Sequence, residues 1–430
     1  MAIGLRALNR VAGLEVLDRI GMRNRAERLL YSATKNGFRA ADAVGRRFNG
    51  KQKLDGAKRQ STGKRATQFD LTPTDEQQMM REAVGDFAQE KLRPAAGDAD
   101  AACAAPAELL EQATELGIPM LGVPGELGGA FEERSATTSF LVAEQLARGD
   151  MGLAVAMLAP AGVGTALGLW GDADQQGTYL GEFAGEKPPA AALALLEPRA
   201  MFDPFELQTT ARKDGDGYVL EGVKSLVPRA ADAELFIIGA ALDGNPALFI
   251  VEANDGGIAY EAEPAMGIRA AGTGRLTLSG VKVPANRLLA DGDPAAYREC
   301  VRLGRLGWCA VAVGTAQATT DYVKEYVNQR TAFGEPISHR QAVAFTVANM
   351  AIELESMRLT ALRAASRADQ GLDYAREVAL ARRLATQKGM QIGSDGVQML
   401  GGHGYTKEHP VERWYRDLRA AGLMEGVLVL

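Results

Sequence analysis

The sequence predicts an α+β protein in which a helical region, an antiparallel β-region and a second helical region follow one another. Three observations predict this order. Apolar residues recur at helical spacing up to about residue 187, short β-rich runs separated by turns follow, and long helical patterns return from Ala295 to Gly422. Because strands and helices do not alternate, we expect segregated helical and sheet regions rather than the parallel sheet of a nucleotide-binding fold.

The first 65 residues differ from the remainder in charge. They carry 16 Lys and Arg against five Asp and Glu, whereas the remaining 365 residues carry 32 against 49. We therefore treat residues 1–66 as a basic extension, helical at first and flexible over residues 49–65. Four roles stay open for it: a mitochondrial transit peptide, a membrane-surface helix, a docking arm for a protein partner, or a solvated extension. We accordingly expect a cytoplasmic protein that can associate with a membrane through residues 1–65, with the mitochondrial matrix as the alternative.

The predicted N-terminal helical domain spans residues 67–190. Thr74 and Gln77 have the spacing of a capping box, and the amphipathic helix that they begin is expected to end near Pro94. The 20 residues Met151–Trp170 carry no charge and are long enough to cross a membrane. Their proline, their four glycines and the lack of a basic bias at their flanks favour one or two buried core helices instead.

The predicted middle domain spans residues 191–292, and the predicted C-terminal helical domain spans residues 293–430. Runs such as 218–227, 234–242 and 247–253 are short, rich in β-forming residues and broken by Asp-Gly and Gly-Asn turns. This pattern is typical of antiparallel strands joined by tight turns. The middle domain is therefore expected to be an antiparallel sheet.

Cysteine and histidine usage excludes several kinds of site at the level of the sequence. The three cysteines have no C-x-x-C spacing, so we predict neither a disulfide framework nor a zinc site, and we expect a reducing compartment. His339, His403 and His409 are too few and too scattered to predict a metal site. A nucleic-acid partner is also disfavoured, because the acidic body of the chain would repel phosphate.

The motifs that carry chemistry are concentrated in the last hundred residues. Residues 330–337 read RTAFGEPI, with Gln341 close behind, and residues 398–405 read QMLGGHGY. Charged residues follow in the segment 412–417, and Glu425 comes near the end. The double glycine allows close approach of the backbone to an anionic group, and the planar guanidinium at the start of the first run suits a pyrophosphate.

In this order and spacing, these motifs resemble the C-terminal helical domain of acyl-CoA dehydrogenases. Segments 122–129, 143–150 and 267–289 resemble further landmarks of that family, so that the resemblance covers roughly residues 70–430. It implies an N-terminal helical domain, a middle β-domain and a C-terminal four-helix bundle. It also implies FAD as the cofactor and an acyl-CoA thioester as the substrate.

The resemblance assigns roles to individual residues. Glu425 matches the catalytic base, and Arg305 matches an arginine that supports the substrate site. Gly304 occupies the position at which some relatives place the base, and glycine cannot act as one. The residues that match FAD contacts, made across a subunit interface, are Arg330, Phe333, Gln341, Gln398, Gly401 and Gly402.

The implied reaction is the α,β-dehydrogenation of an acyl-CoA. A carboxylate removes the α-proton, hydride passes from the β-carbon to flavin N5, and hydrogen bonds to the thioester carbonyl stabilise the developing charge. In the family those bonds come from the flavin ribityl chain and from the backbone N–H of the catalytic glutamate. The resemblance further implies a homodimer or homotetramer that passes electrons to an electron-transferring flavoprotein.

Five positions depart from the family pattern. Leu196 lacks a hydroxyl that meets the flavin ring, and Phe202 replaces a serine near the CoA arm. Leu226 replaces a stacking tryptophan, Pro228 supplies neither a hydroxyl nor an N–H, and Val427 replaces a threonine. Two interpretations follow: a divergent flavoenzyme that holds FAD with other residues, or a catalytically silent scaffold or binding subunit on the same fold.

Overall fold

The computed structural model describes residues 72–129 and 134–425. The predicted basic extension and Val427 lie outside the described residues. The helices are α1 (Asp75–Phe87), α2 (Arg93–Ala102), α3 (Ala107–Glu115), α4 (Ala136–Gly149), α5 (Met151–Trp170), α6 (Ala173–Phe183), α7 (Pro294–Gln329), α8 (Gln341–Asp369), α9 (Ala375–Leu400), α10 (Val411–Leu418) and α11 (Ala420–Leu423).

Helix α1 begins with the predicted capping box. The Thr74 hydroxyl accepts a hydrogen bond from the Gln77 backbone N–H at 3.2 Å, and the Gln77 side chain accepts one from the Thr74 N–H at 3.0 Å. The predicted helix end near Pro94 is wrong. A π-helical turn, Ala88–Leu92, joins α1 to α2 and places Pro94 in the first turn of α2. A first-turn residue needs no N–H partner within its helix, so the proline is tolerated there.

Helix α5 is the core helix that the sequence predicts. It runs without interruption through its proline and is buried from Met151 to Leu167. The Asp150 carboxylate caps it by accepting a hydrogen bond from the Leu153 N–H at 3.0 Å. Within the described ranges it is the one helix long and apolar enough to cross a membrane, and here it packs against other helices and the sheet.

The middle region forms a seven-stranded sheet. Its strands are β1 (Ala191–Ala194), β2 (Thr210–Asp214), β3 (Gly217–Val227), β4 (Leu235–Leu242), β5 (Asn245–Glu252), β6 (Ile258–Ala262) and β7 (Gly274–Pro284). The order is β1-β4-β2-β3-β7-β6, with β5 also paired to β4. Most pairings are antiparallel, as predicted, but β1 and β2 each pair with β4 in parallel. These two short strands lie end to end along one edge of β4.

The C-terminal helices pack on one another and on the N-terminal helices. Helices α7, α8 and α9 pack pairwise, and the shorter α10 packs against α7 and α9. Helix α7 also crosses α4 closely, because a Cβ atom at Gly314 would lie only 2.1 Å from the Glu144 carbonyl oxygen. The two helical regions therefore share a core, and α7 connects that core to the residues described next.

Candidate active site

Glu425 lies in a buried ionic cluster at the end of the described chain. Its side chain is 10% exposed. Arg305 donates two hydrogen bonds to it, from Nε to Oε2 at 2.9 Å and from Nη2 to Oε1 at 3.0 Å. Arg382 donates a third, from Nη2 to Oε1 at 3.3 Å. The carboxylate is therefore fixed in orientation by two guanidinium groups, and Glu425 lies beside Arg305, the arginine that the resemblance assigns to the substrate site.

Two long helices bring these arginines together. Arg305 lies in the fourth turn of α7, directly after the buried Gly304, and Arg382 lies in the second turn of α9. The Arg382 guanidinium also donates from Nη2 to the Met424 carbonyl oxygen at 2.7 Å. Its Nη1 is buried without a hydrogen-bond partner among the described residues. Burial lowers the pKa of Arg382, although the Glu425 carboxylate opposes that shift.

Helix α10 is anchored so that the chain after it reaches the cluster. Arg416 forms a bidentate pair with Asp100 of α2, with N–O distances of 2.9 and 3.0 Å. Arg413 lies 3.1 Å from the carboxylate of Asp150, and the Asp417 carboxylate accepts a hydrogen bond from the Ile268 N–H at 2.6 Å. These contacts give a physical role to the charged residues at 412–417.

Two aromatic residues that the sequence analysis missed border the cluster. The Arg305 guanidinium lies 5.9 Å from the ring centroid of Phe205, and this ring meets Tyr297 edge to face at 6.5 Å. Tyr297 is fully buried, and its hydroxyl has no hydrogen-bond partner among the described residues. Burial raises the pKa of Tyr297 well above its usual value. Gly239 makes room for the Tyr297 ring, because a Cβ there would lie 2.8 Å from a ring carbon.

A buried ion pair holds the loop that carries Phe205. Lys224 Nζ lies 2.9 Å from Glu197 Oε1, and both side chains are almost fully buried. Glu197 also accepts hydrogen bonds from the backbone N–H groups of Gln208 and Thr209 at 2.8 Å. Burial lowers the pKa of Lys224 to about 8, against the opposing effect of the Glu197 carboxylate. This pair closes both ends of the loop onto the sheet.

Two of the departures from the family pattern, Leu196 and Leu226, lie in neighbouring segments that form one wall of the middle domain. The Leu196 carbonyl accepts a hydrogen bond from the Ser225 N–H at 2.9 Å. The Ser225 hydroxyl and the Leu226 N–H both donate to Glu263, at 2.8 and 2.9 Å. Leu226 has a left-handed φ of 51° within a bulge of β3. Polar groups of this wall are therefore engaged within the chain.

The residues that match FAD contacts are exposed and lie apart from the Glu425 cluster. Arg330, Gln341 and Gln398 are exposed, and the Phe333 side chain is 96% exposed. Phe333 and Gly334, both with positive φ, form the two-residue turn of a small hairpin of β8 (Thr331–Ala332) and β9 (Glu335–Pro336). That turn explains why a side chain as apolar as phenylalanine is presented to solvent.

The double glycine also faces open space. A Cβ atom built at Gly401 or Gly402 would meet nothing within 4 Å. Together with exposed Arg330, this gives a surface on which a phosphate could approach the backbone closely, so the residues present fit the phosphate end of a dinucleotide.

The structure separates this group from Glu425. Arg382 and Gln398 lie at opposite ends of α9, about 24 Å apart at the rise of an α-helix. Arg305 in the fourth turn of α7 and Arg330 directly after its last residue lie about 37 Å apart by the same measure. One chain therefore does not place both groups around the same small ring system.

Two histidines that we expect to be scattered lie together beside Arg330. The rings of His403 and His409 meet edge to face at 5.8 Å, and with Glu408 they form a group of possible metal ligands. His409 Nδ1 shares a 2.5 Å hydrogen bond with the Tyr322 hydroxyl, and His403 Nδ1 lies 3.2 Å from Glu408. His403 and His409 line a cavity of about 370 Å³ that Arg330 also borders.

Comparisons with known proteins agree along the described chain. Models of the N-terminal, middle and C-terminal domains of acyl-CoA dehydrogenases match residues 74–187, 192–281 and 295–428. The chain is 33% identical over 365 residues to the mitochondrial short-chain specific acyl-CoA dehydrogenase of Bos taurus, covering 81% of this chain and 86% of the relative. It is 31% identical over 363 residues to a 3-(aryl)acrylate reductase of Clostridium sporogenes, covering 82% and 95%.

A solved structure gives the same result. The fold matches butyryl-CoA dehydrogenase of Megasphaera elsdenii with a TM-score of 0.77 and 29% identity, covering 83% of this chain and 96% of that one. The predicted three-part architecture is therefore confirmed.

Proposed function

The chain belongs to the acyl-CoA dehydrogenase family, and on that premise we propose that it oxidises an acyl-CoA between its α- and β-carbons with Glu425 as the base. The observation that carries the proposal is the position of this carboxylate, buried and oriented by Arg305 and Arg382. A carboxylate offers about four acceptor positions, so three guanidinium bonds leave room to receive a proton. Burial removes the water that would otherwise compete for the weakly acidic α-proton.

FAD is the cofactor of this family, and when bound it accepts the hydride that leaves the β-carbon. Arg330, Gln398, Gly401 and Gly402 would hold its phosphate end, since they are exposed and the two glycines face open space. Because these residues lie far along α7 and α9 from Glu425, we assign them to the site of a neighbouring subunit. A complete site then takes its base from one chain and its phosphate contacts from another.

The backbone of the same segment supports the proposal. Among the described residues, the Glu425 N–H has no hydrogen-bond partner, whereas the carbonyl of the same peptide unit, that of Met424, is bound by Arg382. An N–H beside the base that no described residue engages can donate to the thioester carbonyl as negative charge develops on it. In this scheme the Glu425 side chain accepts the proton, and its backbone N–H donates one hydrogen bond to the thioester carbonyl.

Exposed apolar residues support a homodimer or homotetramer. Phe345, Ile352 and Leu359 recur every seven residues on α8 and are 59%, 62% and 45% exposed. A stripe of this spacing on one helix face is typical of a subunit interface. An electron-transferring flavoprotein remains the proposed electron acceptor. Residues 1–65 remain a proposed membrane or protein docking arm of a cytoplasmic protein, with the mitochondrial matrix as the alternative location.

One observation favours a second candidate, a catalytically silent scaffold. The Ser225 hydroxyl and the Leu226 N–H are both taken by Glu263, and Leu196 carries no hydroxyl. This wall therefore offers a flavin ring fewer donors than the family pattern does, and each missing bond weakens binding by about 1 kcal/mol.

The absorption spectrum of the purified protein, with and without added FAD, separates the two candidates. The enzyme is expected to be yellow, or to become yellow on reconstitution, and to bleach when butyryl-CoA, octanoyl-CoA or palmitoyl-CoA is added without oxygen. Protein that stays colourless with FAD in excess would establish the scaffold and overturn the dehydrogenase.

A further inference from the structure

Arg382 makes contacts that no motif of the sequence indicates. Its Nη2 donates both to the Met424 carbonyl oxygen at 2.7 Å and to the Glu425 carboxylate at 3.3 Å. The side chain is 12% exposed and approaches from α9, a different element from the segment that it holds. One guanidinium nitrogen therefore ties the backbone and the side chain of the proposed catalytic segment to the same helix.

The carbonyl that Arg382 binds belongs to the peptide whose N–H is that of Glu425. The peptide unit is planar, and the described chain contains no cis peptide bond. In a trans peptide the C=O and N–H point in opposite directions, so fixing the Met424 oxygen also fixes the direction of the Glu425 N–H. A cationic donor on the oxygen further polarises the amide and makes its N–H a stronger donor.

We propose that Arg382 is a positioning residue that orients and polarises the Met424–Glu425 peptide, in addition to orienting the Glu425 carboxylate. The inference rests on the proposed dehydrogenation, in which that N–H donates to the thioester carbonyl. Among the described residues, Arg305 donates hydrogen bonds to the Glu425 carboxylate and not to the backbone of that segment. The two arginines therefore have different tasks.

The cost of burying this arginine is consistent with such a task. Nη1 has no hydrogen-bond partner among the described residues, and an unsatisfied buried donor is unfavourable for folding. Of the two hydrogen bonds from Arg382 Nη2, the one to the Met424 carbonyl oxygen is the shorter, at 2.7 Å against 3.3 Å for the one to Glu425.

The test compares R382M and R382K with R383M in the FAD-loaded full-length protein. Arg383 is the adjacent residue on α9 and is exposed, which makes it a matched control. Turnover is measured with the acyl-CoA that reduces the wild type, and the carbonyl stretch of bound, 13C1-labelled 2-enoyl-CoA is measured by infrared difference spectroscopy. The stretch reports polarisation of the thioester independently of turnover.

R382M is expected to lower kcat about a hundredfold, as misplacement of reacting groups does, while KM changes less than about threefold. The red shift of the carbonyl band that the wild type imposes is expected to shrink in R382M and to persist in R383M. R382K, whose single ammonium cannot reproduce both bonds in their present geometry, is expected to be intermediate.

The proposal is overturned if R382M matches R383M in kcat and in the position of the carbonyl band. If R382M does not fold, R382K decides, because a merely structural role predicts a wild-type kcat and carbonyl band for folded R382K. Wild-type protein that binds FAD but is not reduced by any acyl-CoA would contradict the proposed function instead, which separates the two failures.

Discussion

One end of helix α9 belongs to a site whose residues already contact one another within one chain, whereas the residues at its other end remain exposed. At the first end, Arg382 meets Glu425 in a buried cluster that α7 and the chain after α11 complete. At the other end, Gln398, Gly401 and Gly402 are exposed and face open space. The difference indicates that the proton-transfer end is built by one subunit, whereas the phosphate end becomes a binding site only when a neighbour supplies the rest.

Mixed oligomers give the largest expected effect. E425Q removes the proposed base, and R330E reverses a charge at the proposed phosphate site. Each homo-oligomer is therefore expected to be nearly inactive. Hybrids that draw Glu425 from one chain and Arg330 from its neighbour regain activity, in about a quarter of all sites if chains mix randomly in dimers. Coexpression with two affinity tags isolates the hybrids, and hybrids of two E425Q chains are the control. Hybrids as inactive as the parents would show that both ends serve one chain's site.

The next largest effect is expected at the buried Lys224–Glu197 pair, which supports the loop beside the Glu425 cluster. K224M leaves Glu197 buried and unpaired beneath the loop that carries Phe205, and it is expected to destabilise the protein by about 4 kcal/mol. Urea denaturation measures this, with K282M, an exposed lysine of β7, as the control. The double variant K224M/E197Q should recover part of the loss. Equal midpoints for K224M and K282M would contradict the role of the pair.

The smallest effect concerns the anchor of α10. Burial, reinforced by nearby Asp150, raises the pKa of Asp417 to about 8. The folded protein therefore keeps a proton that the unfolded chain releases above about pH 4, so stability falls as pH rises toward 8. D417N cannot ionise at this position, so its stability should depend less on pH than that of the wild type, by up to about 1.4 kcal/mol per pH unit. Thermal midpoints from pH 5 to 8 measure it; parallel curves for both proteins would contradict the assignment.

Much of the fold follows from local sequence patterns. The capping box at Thr74, the core helix Met151–Trp170 and the strand runs are set by short-range spacing, and they form as predicted. The helix end near Pro94 is wrong because a π-turn moves the proline into a first turn. The parallel pairing of β1 with β4 has no local signal, since it joins strands about 40 residues apart.

The site was predictable in part for the same reason. Glu425 and Arg305 lie in recognisable motifs, and they meet in the structure. Arg382 is one of several basic residues on an ordinary helix, so nothing in its spacing indicates that it reaches residue 424. Phe205 and Tyr297 come together only through tertiary packing across Gly239. Long-range contacts of this kind leave no periodic trace in a sequence.

The most direct measurement of the central claim is the rate at which an acyl-CoA reduces the bound flavin in wild-type and E425Q protein, followed by anaerobic stopped-flow absorbance. E182Q, which changes an exposed glutamate of α6, serves as the control. We predict that E425Q binds FAD normally but is reduced about a thousandfold more slowly, while E182Q behaves as the wild type. Reduction of E425Q at the wild-type rate would contradict the assignment of Glu425 as the base.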